Sequence, residues 1–499
     1  MKLTLGLAVA VLAAWPFAPS AACAGQIPQA LIDRAPSIAT TTHTGVFGGR
    51  TVAYSAIVEE HILDGPDGVP NASLVTIAYV REGVADKSRR PVMFVFNGGP
   101  GASSSPLHMN GLGPRRTSGA TTVENPHSVL DATDLVFIDP VGTGFSRPYT
   151  TDAGKQFYWS RTGDATSVKR VIDMWIGKYG RERSPRYLAG ESYGTNRIGL
   201  IYKNHPDVKL DGILLVAVVG ERENSGREMP YVTALPTMAT SAWFWEKIAR
   251  NGRTVDQVYN EAVQFARTDY LTALVQGYSL PPAEKARIAQ KMAALVGLPA
   301  PYIEAKNLRL SKDDWMLSIL EDRNLRTGML DTRVTAARDT TRTGGINDPA
   351  LGGGNMRIGT AMLAPAIVPG AAPAAADAGT PPRQPSTLER YLKEDLEFTT
   401  AEAYRSLNLD INGVWNHEDR GETNSFIAQA MRRDPHVRVF WTAGYYDLTT
   451  PAYGTQYSFD QVGMASDRTT RAILPGAHGV FSDEANRALL ASRLRKWIR

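Results

Sequence analysis

A chain of 499 residues with 43% hydrophobic and 21% charged side chains has the make-up of a globular protein of two to four domains, or of one large domain carrying an insertion. The formal net charge is only +4, and basic residues come at most in adjacent pairs such as Arg89-Arg90, Arg115-Arg116 and Arg432-Arg433. That excludes the concentrated basic surface that nucleic-acid binding needs.

The chain opens with Lys2, a mostly apolar stretch from Leu3 to Ala14, then Pro16 and the small residues Ser20-Ala21-Ala22-Cys23-Ala24. This pattern predicts a signal peptide over residues 1–24 and an exported protein, periplasmic or secreted. Cys23 is the only cysteine, and Ser20 stands where a lipoprotein box needs an aliphatic residue, so lipid anchoring at Cys23 is disfavoured. Cleavage after Ala24 leaves no thiol for disulfides or metal ligation. No later apolar run reaches the roughly 18 residues of a spanning helix, so no integral membrane span is expected.

Two β-rich stretches, 51–62 and 72–80, flank Asp64-Gly65-Pro66-Asp67-Gly68 and predict a hairpin. Short β-branched or aromatic runs follow at 92–96, 135–138, 187–189 and 213–219, with a helical pattern over 164–179. Between about 221 and 424 the alternation lapses. Helical periodicities dominate there (255–274, 282–296, 313–323), followed by an Ala/Pro/Gly-rich stretch at 364–385. Strand patterns resume at 437–441 and 472–474, and a helix over 484–497 closes the chain. Buried strands alternating with helices predict an α/β fold with a mostly parallel central sheet. The core is expected in two parts, 25–220 and 425–499, with 221–424 as an inserted, mainly helical cap.

Gly190-Glu191-Ser192-Tyr193-Gly194 sits between the strand pattern 187–189 and a helix-like 196–202. A serine on a sharp strand-to-helix turn is lifted clear of the sheet edge, which points to nucleophilic attack on an acyl carbon. Composition alone yields the five-residue pattern in about one such chain in five, so partners must carry the argument. In sheet-borne hydrolases they follow in the order Ser, acid, His. Among the downstream histidines, His205 falls at the far end of the next helix, His417 lies among Asn416, Glu418 and Asp419, and His436 precedes a strand. His478, in Leu474-Pro475-Gly476-Ala477-His478-Gly479, follows a strand and precedes the last helix, where the base belongs. Asp447 follows the 437–441 strand and is the acid candidate; a helix N-cap aspartate is its plainer reading. The glycines of Asn97-Gly98-Gly99-Pro100-Gly101, at another strand end, let backbone N–H groups approach an oxyanion.

These blocks, together with Asn97 to Ser104 and Asp139-Pro140-Val141-Gly142-Thr143-Gly144-Phe145-Ser146, resemble the serine carboxypeptidases of α/β-hydrolase fold. The lack of paired cysteines looks more like the bacterial-type members. The resemblance implies Ser192 as nucleophile, His478 as base and Asp447 as its orienting acid. It further implies an oxyanion hole from the N–H groups of Gly99 and Tyr193. Asn97, the Gly98 N–H and Glu191 would hold the terminal carboxylate of a peptide substrate with a free C-terminus. A Glu191 carboxyl facing that carboxylate must share a proton with it, so acidic pH should favour binding. The family usually places a second glutamate in the segment occupied here by His108-Met109-Asn110-Gly111-Leu112-Gly113-Pro114. That departure keeps open an esterase or acyltransferase with the same triad, and, as a third reading, a non-catalytic binding protein on the same scaffold. The aromatic run Trp243-Phe244-Trp245 reads as the buried face of a cap helix rather than a pocket wall. No metal-ligand spacing appears, so no metal and no cofactor are expected.

Overall fold

Strand β4 (Val92–Phe96) shows how the sheet is built. Its side chains alternate between two cores, Met93 and Val95 facing one and Phe94 and Phe96 the other, so an unbroken apolar run is a strand buried on both faces. The computed structural model describes residues 27, 29–220, 227–340, 347–352, 384–418 and 421–498. The expected signal peptide with Cys23, and all but the end of the 364–385 stretch, lie outside them.

Strands β1 (Ile38–Phe47), β2 (Arg50–Asp64) and β3 (Pro70–Arg81) form an antiparallel meander. β5 (Arg115–Ser118) and β6 (Thr121–Glu124) make a separate hairpin. The other sheet members are β7 (Asp134–Asp139), the short β8 (Arg147–Pro148), β9 (Arg186–Glu191) and β10 (Gly212–Val216). β11 (Leu325–Thr327) pairs with β12 (Thr335–Ala337) apart from the main sheet, and β13 (Arg438–Gly444) and β14 (Thr469–Leu474) follow. The main sheet runs β1-β2-β3-β7-β4-β9-β10-β13-β14, parallel from β7 onward, with β8 on β3. Helices Arg161–Tyr179 and Tyr193–Asn204 pack on one face, and the closing helix Glu484–Trp497 packs on the other.

β1 was not expected. Its threonine-rich sequence buries only Gly45 and Phe47, so it is an edge strand held by β propensity and pairing rather than by an apolar stripe. The expected 213–219 strand stops at Val216, and the 437–441 strand runs on to Gly444. Among the described residues 227–418 add helices such as Met229–Phe244, Val255–Phe265 and Pro282–Val296, and no strand of the main sheet. At the end of the first of these Ser241 and Ala242 are buried, but the aromatic run is not the buried face expected: Phe244 is exposed, and Trp243 and the following Trp245 are half-buried.

At the lower end of the parallel strands, Asp134 is buried between Arg90 and Arg181, each 2.6 Å away, and also accepts the Arg81 amide. Removing one member of such a cluster leaves buried charge uncompensated. Asp134→Ala should lower the unfolding free energy by about 3–5 kcal/mol, read from urea denaturation monitored by tryptophan fluorescence.

Candidate active site

Parallel strands paired in step end at one edge, and the candidate residues gather there. Phe96 pairs with Gly190, Glu191 with Val216, and Val216 with Thr442. Ser192 follows β9 immediately, with φ 58° and ψ −129°, and the helix begins at Tyr193. A non-glycine residue at positive φ is strained, and here the strain is held by a hydrogen bond from the Ser192 amide to the Val216 carbonyl (3.0 Å) and by the Thr195 amide and hydroxyl on the Ser192 carbonyl (2.9 and 2.8 Å). The turn leaves Ser192 partly exposed between buried Glu191 and Tyr193.

The Asn97–Gly101 loop presses on the first turn of that helix. A Cβ on Gly98 would lie 2.3 Å from the Tyr193 amide nitrogen, so only glycine allows the two backbones to converge. The loop is anchored from three directions. Arg197, one turn along the helix, donates to the Asn97 carbonyl (2.6 Å), forks onto the buried Asp164 carboxylate (2.7 and 3.1 Å) and stacks over Phe96 and Tyr193. Asp139 accepts the Ser104 amide and hydroxyl (2.8 and 2.7 Å). A segment far along the chain crosses the loop: the Ser103 amide donates to Ser406, the Asn408 amide to Gly101 and the Asn408 side chain to Gly142. Trp415 then packs edge-on against Tyr193. The Asp139–Ser146 block thus braces the glycine loop.

Asp447 and His478 lie 31 residues apart and meet through a 2.8 Å bond between Asp447 Oδ2 and His478 Nδ1, both fully buried. Hydrogen bonds from the Tyr445 amide to the Leu474 carbonyl and from the Tyr446 amide to the Gly476 carbonyl zip the two loops together. Asp447 Oδ1 accepts the Thr449 and Thr450 amides (2.9 and 3.0 Å), and the Thr450 hydroxyl bonds to Oδ2. Burial pushes Asp447 up, but His478 and these donors hold it below the usual carboxylate range. Burial pulls His478 down, and the Asp447 charge and hydrogen bond lift it above the ordinary histidine value. The helix after this loop is capped at Pro451, so Asp447 is not its N-cap. His417 and His436 are exposed, His436 just before β13 at the opposite end of the sheet, and His205 ends the helix after Ser192.

Glu191 is 3% exposed and accepts a 2.7 Å bond from the Asn97 side-chain amide. Burial pushes its carboxyl up to about 7, helped by the charge of Asp447 and opposed by His478 and Asn97. In the segment that lacks a glutamate, the Asn110 carbonyl accepts from Arg487 (3.1 Å).

Sequence reading missed Arg197, Asp164, Thr450 and the two crossing segments, Tyr404–Trp415 and Gly328–Thr332. Arg197 alone left a trace, as a charge inside a helix whose neighbours Ile198, Leu200 and Ile201 are apolar.

A mostly parallel sheet with helices on both faces, a serine on a strand-to-helix turn and an Asp–His pair on later strand ends defines an α/β-hydrolase fold. Over 89% of the chain the structure resembles Kex1(delta)p, a prohormone-processing carboxypeptidase from Saccharomyces cerevisiae, covering 91% of it with a TM-score of 0.52 at 12% identity. In sequence, residues 79–205 match the serine carboxypeptidase family, and that span holds the glycine loop, the Asp139 block and Ser192. Serine carboxypeptidase-like 36 of Arabidopsis thaliana is 29% identical over 150 residues, 28% of this chain and 30% of that protein. The pheromone-processing carboxypeptidase kex1 of Aspergillus terreus is 34% identical over 119 residues, 23% of this chain and 18% of that one. The matched region thus spans less than a third of either relative. Both are eukaryotic, so they lend no support to a bacterial-type assignment.

A carboxyl held up in the folded state keeps its proton more tightly there than in the unfolded chain, so stability falls as pH rises from about 4.5 through 7. Glu191→Gln keeps the acceptor for Asn97 and removes the titration. At pH 8 it should be more stable than wild type, by up to about 3 kcal/mol at 1.36 kcal/mol per pKa unit. At pH 4.5 the gap should shrink towards zero, as read by denaturation at both pH values.

Proposed function

We propose that the chain is a serine carboxypeptidase that hydrolyses C-terminal peptide bonds through an acyl-enzyme. The observation that carries this is Glu191: a buried carboxyl one residue before Ser192, bonded to Asn97 and kept protonated up to about pH 7. A neutral acid beside an amide donor can share its proton with a substrate carboxylate; an ionised one would repel it. Matching of residues 79–205 to the serine carboxypeptidase family supports the same reading.

In this mechanism His478 takes the Ser192 proton as the hydroxyl attacks the scissile carbonyl, while Asp447 holds the Nδ1–H and stabilises the imidazolium. The Gly99 and Tyr193 amides receive the developing oxyanion, and preorganisation by Arg197 and Asp139 spares reorganisation at that moment. His478 returns the proton to the leaving amine. Water then attacks the acyl-Ser192 with His478 again as base, releasing the shortened peptide. Asn97, the Gly98 amide and Glu191 grip the terminal carboxylate, which limits cleavage to the last peptide bond. The block 221–424 acts as the cap over this edge. Export, to the periplasm or beyond, rests on the pattern of residues 1–24, and a bacterial-type assignment rests on Cys23 being the only cysteine.

The missing second glutamate favours one competing reading, an esterase or acyltransferase working through Ser192 on other acyl groups. A matched pair of peptides, one with a free C-terminus and one amidated, separates the two between pH 4 and 8, a range of about four pH units that brackets carboxyl and histidine titration. Wild type should cleave the free acid far faster, with KM rising as pH passes about 7 and Glu191 ionises. Ser192→Ala should abolish turnover, and Glu191→Gln should weaken affinity mainly for the free acid. Equal turnover of both peptides would reject the carboxypeptidase assignment.

A further inference from the structure

A short segment from outside the sheet lies across both loops of the Asp447–His478 pair. The Met329 carbonyl accepts the amides of Leu448 and Thr449 (2.9 and 3.1 Å), the two residues after Asp447. The next carbonyl, Leu330, accepts the amide of His478 itself (2.9 Å). The Thr332 amide completes the contact on the Tyr446 carbonyl (3.0 Å). One peptide strip therefore ties the acid loop to the histidine loop on either side of the 2.8 Å Asp447–His478 bond.

The strip is in turn fixed by one side chain. Asp348 is buried, and its Oδ2 accepts the consecutive amides of Met329 and Leu330 (2.9 and 3.0 Å). Consecutive N–H groups aimed at one anion form a nest, a concavity of partial positive charge that a carboxylate satisfies. Its Oδ1 accepts the Ala350 amide (2.9 Å), which locks the carboxylate's own orientation. Gly328 lies so close that a Cβ there would be 2.7 Å from Oδ1.

We propose that Asp348 is a positioning residue for the Asp447–His478 pair, setting the 329–330 peptides so that their carbonyls hold both loops in reacting register. The proposal rests on the triad reading of Ser192, Asp447 and His478. It places a determinant of the triad's geometry in the block outside the sheet, 156 residues after Ser192 and 99 before Asp447. Three carboxyl groups face His478, namely Asp447, Glu191 and Asp348, and the negative charge of Asp348 adds to the lift that Asp447 gives the imidazole.

The test is the rate at which a fluorophosphonate probe labels Ser192, followed against pH, because it reads the nucleophile and base without any peptide. In Asp348→Asn one oxygen remains, so the NH2 is turned either towards the Met329 and Leu330 amides or towards the Ala350 amide, and the carboxylate charge is lost. This variant should slow labelling about tenfold or more, the scale on which small misplacements act. Its acid limb should also move to lower pH, since removing a carboxylate disfavours the imidazolium. Gly328→Ala crowds the same carboxylate but keeps its charge, so it should slow labelling with a smaller displacement of the limb. A folded Asp348→Asn that labels at the wild-type rate, or slowly with an unmoved limb, overturns the proposal. If that variant does not fold, wild-type labelling by Gly328→Ala overturns it instead. A wild type that does not label removes the triad reading and this proposal together, whereas a wild type that labels but prefers esters removes only the peptidase assignment.

Discussion

The in-step parallel pairing of β4, β9, β10 and β13 is the constraint on which the site depends. Parallel strands point the same way, so their following loops emerge at one edge whatever their distance in sequence. Asn97, Ser192 and Asp447 are brought together by that rule, and His478 joins them after β14. The same rule sends Arg90, Asp134 and Arg181 to the opposite edge, where their job is structural. Chemistry and stability are thereby separated by the length of a strand.

Convergence of loops does not by itself make a precise site. Backbone ends are soft unless their polar groups are satisfied, and here nearly every candidate residue is held by a partner that does no chemistry. Arg197 and Asp164 pin the glycine loop from the helix side, and Asp139 pins it from the neighbouring strand. Segments outside the sheet pin the remaining faces: Ser406 and Asn408 on the glycine loop, and Met329 to Thr332 on the Asp447 and His478 loops. The helical block between β10 and β13 thus contributes hydrogen bonds to the loops of the candidate site.

Electrostatics follow from the same burial. Glu191, Asp447 and His478 share a volume with little water, where two ionised carboxylates beside one imidazole are one negative charge too many. The environment resolves this by giving Asp447 the hydrogen-bond donors and leaving Glu191 with Asn97, so Asp447 stays ionised and Glu191 holds its proton up to about pH 7. Two chemically similar side chains thus acquire opposite protonation states near neutrality.

Much of the fold was legible in the sequence, because strands buried on both faces must be continuous apolar runs and the closing helix shows its own periodicity. The chain also declared Ser192, since its turn requires a local pattern, and it ranked His478 above the other histidines by strand-end position. β1 was illegible because an edge strand needs pairing more than an apolar stripe, and the lengths of β10 and β13 were off where pairing rather than composition ends a strand. Asp164, Asp348 and the two crossing segments carry no local signature, because their roles are hydrogen bonds to residues remote in sequence, and Arg197 shows only as a charge within an apolar helix. What the sequence by itself determined was the order of elements and the kinds of side chain available at their ends. Only the tertiary structure decided which of those ends touch and which carboxyl keeps its proton, because distance and desolvation, the two quantities that govern both, exist only once the chain has folded.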